Sequence, residues 1–312
     1  MRFLVVADPI ERLRPEFDTS LAIVRASQFR KHRVFWATEN HLQLENGRLR
    51  VLSAECKGWQ PNGLPHLESP KLFDVRDFKA VWIRKDPPFD GSYLKLCWLL
   101  ALDEKRTRML NRPSILLRYH EKLLPFEAVM AGALKPSELV PTHIGSPESA
   151  AKYVDAHGYD PLIQKPFLGF AGGDIRKFSK ADWASKASRD GDVLTQPFLP
   201  EIAEKGDRRV MFLGGRVVGD FVRLPKSGEY VSNLARGGSA ALIPLTKAQK
   251  DVTNRLGKFL KKVGIDFAGA DMIGSRISEV NITSPTGVPK LKELTGIDVA
   301  DLLVRYAERS AL

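Results

Sequence analysis

The sequence predicts a three-layer α/β domain at the N-terminus, followed by α+β units built around antiparallel hairpins. Residues 2–7 are predicted to be a buried strand, Leu21–Arg30 a helix after Asp18-Thr19-Ser20, and Val34–Ala37 a second strand. A strand–helix–strand opening of this kind is typical of an α/β domain whose ligands lie beyond the carboxyl ends of the strands. Beyond residue 120 the pattern changes to short strands separated by Gly-rich loops.

Turn and transition signals divide the chain into three predicted parts, residues 1–120, 121–200 and 201–312. Asn111-Arg112-Pro113 and His120-Glu121-Lys122 mark the first boundary. Further strands are predicted at residues 48–53, 80–83, 161–166, 194–199, 208–212, 217–223 and 276–282, and helices at 246–263 and from 298 onward. The loop 224–239 is rich in Gly, Ser and Asn, so it is expected to be mobile.

Length and composition are those of an ordinary globular protein. The chain has 312 residues, 43% hydrophobic and 27% charged, enough for two or three domains. It has no apolar run of roughly eighteen residues, so no transmembrane helix is predicted. Asp8 interrupts the apolar start, which therefore favours a first strand over a secretion signal. Cys56 and Cys97 have no metal-ligand spacing and are interpreted as buried thiols in a reducing cytoplasm.

The net charge of +11 indicates anionic ligands. Basic residues are dispersed among acidic ones, with the densest cluster at Arg25–Arg33, and no zinc-finger spacing or RNA-binding signature occurs. We therefore expect no nucleic-acid partner and interpret most of these charges as solvated surface. A pocket for a nucleotide triphosphate and a carboxylate substrate would also need positive lining.

The strongest candidate for chemistry is a predicted hairpin near the C-terminus. Asp271 follows a run of small apolar residues, Gly274-Ser275 is a turn signal, and residues 276–282 alternate between polar and apolar. Glu279 and Asn281 are two apart on one face, and Asp271 would lie opposite them. Three oxygen-bearing side chains at one place suit Mg²⁺. The alternative is the solvated face of an ordinary antiparallel hairpin.

Two segments of the central part are candidates for nucleotide binding. The loop Phe167–Gly173 could cradle phosphates with its backbone amides, although it matches no established phosphate-loop pattern and could be a plain hairpin turn. Lys165 at the end of the preceding strand could reach a phosphate, or it could be solvated. The backbone of Gln196-Pro197-Phe198-Leu199 could pair with an adenine edge.

A rigid basic loop is predicted after the strand at residues 80–83. Pro87 and Pro88 stiffen the segment Arg84–Asp90, so Arg84 would be held at the strand's carboxyl end at little entropic cost. A guanidinium in that position suits a substrate carboxylate. A rigid connector with incidental charges is the alternative.

Together these segments resemble the bacterial glutathione synthetases of the ATP-grasp superfamily. The motifs that carry the resemblance follow in the family's order over nearly the whole chain: Arg84–Asp90, Asn111–Pro113, Glu121–Leu123, Gln196–Pro200, Gly206–Val210, Arg223–Pro225, Asn233–Ala235, Gly237-Gly238 and Glu279–Gly287. The resemblance implies an N-terminal three-layer α/β (pre-ATP-grasp) domain followed by a two-part ATP-grasp fold, with residues 224–239 as the lid.

The resemblance also implies roles for individual residues. Metal ligands would be Asp271, Glu279 and Asn281, holding two Mg²⁺ ions, with Mn²⁺ a possible substitute. ATP would contact Lys122, Lys165, Gln196, Pro197, Phe198, Leu199, Asp207, Gly172 and Gly173. Substrate would contact Arg84, Asn233, Ser284, Pro285, Thr286 and Gly287, and catalysis would use Arg209, Arg223 and Lys165.

The implied reaction is the ATP- and Mg²⁺-dependent joining of γ-glutamylcysteine to glycine through an acyl phosphate, in a cytoplasmic homo-oligomer, a dimer or a tetramer. The chain departs from the family pattern in the central glycine loop and at Val231 in the lid, both regions that cover substrate. A related ligase with a different donor or acceptor therefore stays open as an alternative. A regulatory ATP-binding protein is a further alternative, disfavoured by the complete set of metal ligands.

Overall fold

The computed structural model describes residues 1–168, 175–186, 193–226 and 237–309, except the side chains of 184–186. Within these residues the N-terminal sheet has eight strands, and its main path runs β3-β4-β2-β1-β7-β8. The strands are β1 (Arg2–Ala7), β2 (Arg33–Ala37), β3 (Leu42–Glu45), β4 (Arg48–Trp59), β5 (Pro65–Leu67), β6 (Lys71–Asp74), β7 (Ala80–Arg84) and β8 (Arg108–Leu110). The helices of this part are α1 (Thr19–Phe29), α2 (Gly91–Ala101) and α3 (Pro113–Arg118).

The layering follows from the alternation of side chains along β1. Phe3 and Val5 face the cluster that includes Leu21 and Val24 of α1. Leu4 and Val6 face the opposite cluster, which contains Leu96 of α2. Because β1 is buried on both faces and pairs in parallel with β2 and β7, its sequence is almost entirely apolar. The predicted three-layer α/β domain is confirmed.

The central unit has a small core of its own. Its sheet runs in the order β11-β10-β12-β9, with β10 antiparallel to both of its neighbours. Its hydrophobic cluster contains Val154, Leu162, Trp183 and Val193 and is separate from the two larger clusters. The elements are α4 (Leu124–Met130), which precedes the sheet, then β9 (His143–Gly145), α5 (Pro147–His157), β10 (Leu162–Pro166), β11 (Arg176–Phe178), α6 (Lys180–Lys186) and β12 (Val193–Pro197).

The C-terminal sheet runs in the order β15-β14-β13-β16-β17 and carries the predicted hairpin. Val210 and Phe212 pack on one side with Leu256 of the long helix, and Met211 packs with Leu291 on the other. The elements are α7 (Glu201–Lys205), β13 (Asp207–Leu213), β14 (Arg216–Leu224), β15 (Ser239–Ala241), α8 (Lys247–Lys262), β16 (Phe267–Ile273), β17 (Arg276–Asn281), α9 (Val288–Thr295) and α10 (Val299–Arg309).

Local signals placed several element ends correctly. The side chain of Asp18 accepts a hydrogen bond from the amide of Leu21 and so caps α1. Thr246 caps α8 in a reciprocal arrangement with Gln249. Two predicted strand ends were wrong by two residues or more: β4 continues to Trp59 instead of Ser53, and β12 ends at Pro197, two residues before the predicted Leu199. Pro197 pairs with Leu162, the first residue of β10, so the partner strand of β12 ends there.

No helix in the described ranges is long and apolar enough to cross a membrane.

Candidate active site

The hairpin of β16 and β17 brings the three predicted metal ligands to one face of the C-terminal sheet. Asp271 pairs directly with Glu279 across the strands, and Gly269 pairs with Asn281, which confirms the predicted register. The amide nitrogen of Asn281 lies 3.4 Å from the Gly269 carbonyl oxygen, so its donor side is turned to the backbone. The irregularity in the ladder comes one residue later, after Asp271. The two carboxylates therefore stay directly opposite each other.

Two arginines hold the Asp271 carboxylate. The Nε and Nη2 atoms of Arg209 lie 2.6 Å and 3.0 Å from its two oxygens, and Nη2 of Arg223 lies 3.0 Å from Oδ2. Arg223 also pairs with Asp207 on the neighbouring strand. Burial raises the pKa of Asp271, but the positive charges of Arg209 and Arg223 outweigh burial and leave that pKa below its ordinary value. Asp271 is consequently an ionised carboxylate.

Asp207 and Arg223, which pair with each other beside Asp271, both have pKa values above their ordinary ones. Burial raises the pKa of Asp207, and the charge of Arg223 offsets only part of that effect. Burial lowers the pKa of Arg223, but the charges of Asp207 and Asp271 outweigh it, so that pKa lies above its ordinary value. Arg223 therefore carries its positive charge inside the site. A fixed cation of this kind can stabilise phosphate oxygens.

The donor atoms of the hairpin fit Mg²⁺. Two carboxylates and one amide oxygen are hard ligands, and Mg²⁺ in ATP-dependent enzymes takes only a few protein ligands beside phosphate oxygens. In the described ranges no cluster of three His, Cys, Asp or Glu side chains has metal-binding geometry. A metal site on this hairpin would therefore consist of two carboxylates, those of Asp271 and Glu279, and the amide oxygen of Asn281 as the third ligand.

Arg84 and the turn at residues 284–287 lie together, although they are about two hundred residues apart in sequence. The Nη2 atom of Arg84 donates to the Pro285 carbonyl oxygen at 3.0 Å, and Nη1 of Arg209 lies 3.2 Å from the Thr286 carbonyl oxygen. The turn thus links the end of β7 to β13. Gly287 has φ of 103°, and a Cβ there would lie 2.9 Å from the Phe221 ring, so only glycine suits the position.

A buried polar cluster around Arg84 escaped the sequence analysis. Nε of Arg84 lies 3.3 Å from the Ser20 hydroxyl, and its Nη1 is buried without a hydrogen-bond partner among the described residues. Burial lowers the pKa of Arg84 and raises that of Asp18. The hydroxyl of Tyr93 is also buried without a partner in the described part of the chain. Asp18 was recognised only as a helix cap.

The loop after Arg84 is hydrogen-bonded to Asp8, which follows β1, and to Ser284, which follows β17. Nζ of Lys85 lies 2.7 Å from Oδ1 of Asp8, and the amide of Asp86 donates to Oδ2 of the same carboxylate at 2.8 Å. The hydroxyl of Ser284 donates to the Asp86 carboxylate. Asp8 and Asp86 were not among the predicted site residues. Their position at the ends of buried parallel strands is the signal that could have identified them.

Lys122 joins the central unit to the hairpin. Its Nζ donates to the carbonyl oxygens of Pro166 and Phe167, both at 2.8 Å. Burial lowers the pKa of Lys122; the charges of Glu279 and Glu121 oppose that effect, and the nearby charge of Lys165 adds to it. The two predicted nucleotide-contacting lysines are therefore close in space. The surroundings of Lys122 hold both signs of charge, because Glu279 and Glu121 are also near it.

Glu121 is a further residue that sequence reasoning missed. Burial raises its pKa to about 8, with a further rise from the charge of Glu279. Its carbonyl oxygen accepts a hydrogen bond from the amide of Val280 at 3.1 Å, which fixes it beside β17. It also lines a cavity of about 200 Å³ together with Pro87, Phe89 and Thr283. This cavity connects the proline loop to the hairpin.

The predicted adenine-facing segment is only partly strand. The side chain of Gln196 donates to the Thr142 hydroxyl at 2.8 Å. The amide of Phe198 bonds to the Pro161 carbonyl oxygen at 2.9 Å. Nζ of Lys177 lies 3.6 Å from the centre of the Phe198 ring. The segment is thus ordered by the central sheet, and Leu199 lies beyond the end of β12.

Three predicted site residues, Gly172, Gly173 and Asn233, lie outside the described residues. So do Val231 and most of the predicted lid, residues 227–236. The described flanks of the lid are the end of β14 at Leu224 and the start of β15 at Ser239, which pair with each other.

Two family models match the chain. The model of the prokaryotic glutathione synthetase N-terminal domain matches residues 1–117. The model of the prokaryotic glutathione synthetase ATP-grasp domain matches residues 132–296. The second range contains β13 to β17, and hence the whole charge network around Asp271.

Curated relatives named glutathione synthetase match over nearly their full length. The protein of Prochlorococcus marinus strain MED4 is 31% identical over 97% of this chain and 98% of its own. That of Gloeobacter violaceus is 32% identical over 98% of this chain and 97% of its own. That of Parasynechococcus marenigrum is 33% identical over 96% of this chain and 97% of its own.

Solved structures share the fold at low sequence identity. The D-cycloserine synthetase DcsG has a TM-score of 0.69 at 15% identity, covering 98% of this chain and 99% of its own. An ATP-grasp RimK domain protein from Sphaerobacter thermophilus has a TM-score of 0.62 at 17% identity, covering 99% of this chain and 100% of its own. The predicted ATP-grasp fold is confirmed.

Proposed function

Because the chain belongs to the prokaryotic glutathione synthetase family, we propose that the face of β13, β14, β16 and β17 is its catalytic surface. The activity is that of a glutathione synthase, an ATP-dependent ligase that joins γ-glutamylcysteine to glycine. The observation that carries the proposal is the clamped carboxylate of Asp271. It lies opposite Glu279 and is surrounded by Arg209 and Arg223.

The reaction needs an activated carboxylate. The cysteinyl carboxylate of the dipeptide attacks the γ-phosphorus of ATP, and ADP leaves. The amine of glycine then attacks the acyl phosphate, phosphate leaves, and the amide bond is formed. No protein nucleophile is required, so the residues act by positioning and by charge stabilisation. The acyl phosphate must be shielded from water, which a closing lid at residues 224–239 would do.

We assign the residues as follows. Arg209, Arg223 and Lys165 stabilise negative charge on the transferred phosphoryl group. Lys122, Lys165, Asp207, Gly172, Gly173 and the segment Gln196–Leu199 bind ATP. Arg84, Asn233 and the turn at residues 284–287 bind the dipeptide and glycine. In support of the last assignment, the buried Nη1 of Arg84 has no hydrogen-bond partner among the described residues, while Nη2 of the same guanidinium donates to the Pro285 carbonyl oxygen.

Asp271, Glu279 and Asn281 would hold two Mg²⁺ ions, with Mn²⁺ as a possible substitute. When bound, these ions would neutralise negative charge on the phosphates of ATP. The chain's own contribution is to keep Asp271 ionised through Arg209 and Arg223, and to place Glu279 across the ladder from it.

The remaining parts of the proposal concern the setting. We propose residues 1–120, 121–200 and 201–312 as the domains, a cytoplasmic homo-oligomer (dimer or tetramer), and no nucleic-acid partner. Buried thiols at Cys56 and Cys97 support a reducing compartment.

The test is phosphate release with ATP, Mg²⁺, γ-glutamylcysteine and glycine. Glu279→Gln removes the charge of one ligand, so we expect activity to fall roughly 10–100-fold or more while the unfolding transition is retained. Glu293→Gln, an exposed carboxylate on α9, is the matched control and should leave the rate unchanged. Turnover of Glu279→Gln within a few-fold of the parent at limiting Mg²⁺ would refute the metal assignment. A different preferred dipeptide or amine in a substrate panel would refute the substrates.

A further inference from the structure

A second cavity lies at the opposite end of the N-terminal sheet from the catalytic surface. Its volume is about 470 Å³, and it opens at the amino ends of β1, β7 and β8, which are parallel neighbours. Arg84 marks the carboxyl end of β7, roughly 16 Å away along a five-residue strand. The volume is in the range of small-molecule sites. Substrate binding as proposed above makes no use of this cavity.

The lining of this cavity is strongly basic. Besides the amino terminus of Met1, its charged lining within the described part of the chain consists of five cationic side chains and one carboxylate: Arg2, Arg76, Lys79, Arg106, Arg108 and Asp77. Arg2 and Lys79 make no ion pair with any described residue. A concave surface with one sign of charge concentrates the field and attracts counter-ions.

One buried carboxylate, that of Asp103, pairs with two of these arginines, Arg76 and Arg106. Nε and Nη2 of Arg76 lie 3.0 Å and 2.8 Å from Oδ1 of Asp103, and Nη1 of Arg106 lies 3.6 Å from the same oxygen. The side chain of Asp103 is only 2% exposed, whereas Arg76 and Arg106 are 41% and 62% exposed. The carboxylate thus orients two guanidinium groups whose outer edges reach solvent. Pre-ordering of this kind lowers the entropic cost of binding an anion.

The third arginine connects the cavity to the C-terminal part of the chain. Nη2 of Arg108 lies 3.4 Å from Oδ2 of Asp266, and its guanidinium lies 4.7 Å from the centre of the Tyr306 ring. The five cationic side chains outnumber the three carboxylates that line the cavity or pair with its arginines, Asp77, Asp103 and Asp266, and the Met1 ammonium adds further positive charge. An anion with two or more negative charges would offset that excess.

We propose that this cavity binds a small phosphate-bearing dianion or polyanion, of the class of a phosphomonoester or a diphosphate. Guanidinium groups match phosphate oxygens with paired N–H donors, and Lys79 adds a compact charge at the rim. The convergence of like charges is costly without a ligand, and an anion of this class removes that cost. The catalytic surface is not part of this site.

Inorganic pyrophosphate is the probe. Its binding to the full-length protein is measured by calorimetry in excess Mg²⁺ with the ATP site filled by a non-hydrolysable ATP analogue. The pocket variant is Lys79→Gln with Arg106→Gln, both exposed positions. The control is Lys250→Gln with Lys258→Gln, exposed positions on α8 that remove the same charge.

We expect the parent and the control to bind pyrophosphate alike, and the pocket variant to bind roughly tenfold more weakly. The KM for ATP should be the same in all three proteins, which separates this site from the catalytic one. Equal weakening in both variants would show a diffuse charge effect and overturn the proposal. Unchanged binding in the pocket variant, or no binding to the parent, would overturn it as well.

Discussion

Replacement of Asn111 by alanine should be among the most destabilising single changes in this protein. The side chain is 2% exposed and makes four hydrogen bonds to backbone. Its Nδ2 donates to the carbonyl oxygens of Phe267 and Ile282, both at 2.7 Å. Its Oδ1 accepts from the amides of Asp266 and Phe267 at 3.1 Å and 2.8 Å. One amide thus ties the start of β16 and the residue after β17 to the N-terminal domain.

The magnitude follows from those four bonds. A hydrogen bond contributes about 1 kcal/mol net, and a buried backbone group left without a partner costs about 1–3 kcal/mol. Entry of water into the space left by Asn111→Ala would recover part of that loss. We therefore expect the free energy of unfolding to fall by about 3–4 kcal/mol, a large share of the roughly 5–15 kcal/mol typical of a domain.

Urea denaturation followed by tryptophan fluorescence measures this loss. Asn111→Asp keeps the shape but turns an oxygen toward two carbonyl groups, so it should destabilise at least as much as alanine. Asn62→Ala is the control: among the described residues its exposed side chain accepts only from the Leu64 amide, at 3.1 Å, so the substitution should cost less than about 1 kcal/mol. A loss below about 1.5 kcal/mol for Asn111→Ala would refute the reasoning, as would a stable Asn111→Asp.

Three further outcomes are expected. Arg84→Lys should raise the KM for the dipeptide and leave the KM for ATP nearly unchanged, because an ammonium cannot form the two parallel hydrogen bonds of a guanidinium. An equal rise of both KM values in steady-state kinetics would indicate a structural role for the loop. Hydrogen bonds from Arg30 and His32 hold the pKa of Glu308 at about 2, below its usual 4.5. The stability that ionised Glu308 contributes to the fold is therefore complete above pH 4.5 and is lost as the pH falls through about 2. Glu308→Gln should lower the Tm at pH 7 by about 2–4 °C and by less near pH 2. Burial raises the pKa of the Cys56 thiol to about 12, so mass spectrometry should find it unmodified by iodoacetamide at pH 8 in native protein; rapid labelling would contradict the burial.

The amino-acid sequence determined the features that depend on spacing along one or two neighbouring elements. Period-two alternation and the turn at Gly274 were sufficient to place Glu279 and Asn281 on one face opposite Asp271. Asp18 was recognisable as a helix cap because a cap acts within three residues, and the helix predicted from residue 246 begins one residue later, after the cap Thr246. The basic loop at Arg84 could be placed at a strand end because prolines follow a buried apolar run. Each of these is a local geometric rule.

Where local rules end, the sequence was less informative. The strand predicted to reach Leu199 stops at Pro197, and β4 continues to Trp59 although its predicted end was Ser53. Strand ends depend on which neighbour is available for pairing. β4 pairs with β2, β3, β5 and β6 along its length, and no local pattern reveals those partners.

Only the tertiary structure decided how the charged residues combine. Asp271 is held by arginines from β13 and β14, and Arg84 meets Pro285 across about two hundred residues of sequence. The basic cavity arises because three parallel strands begin at one edge of the sheet. Coulomb energies and desolvation depend on distance in space and on burial, both of which are set by the packing of distant segments. For that reason the residue types were visible in the sequence, whereas their charge states and partners were products of the fold.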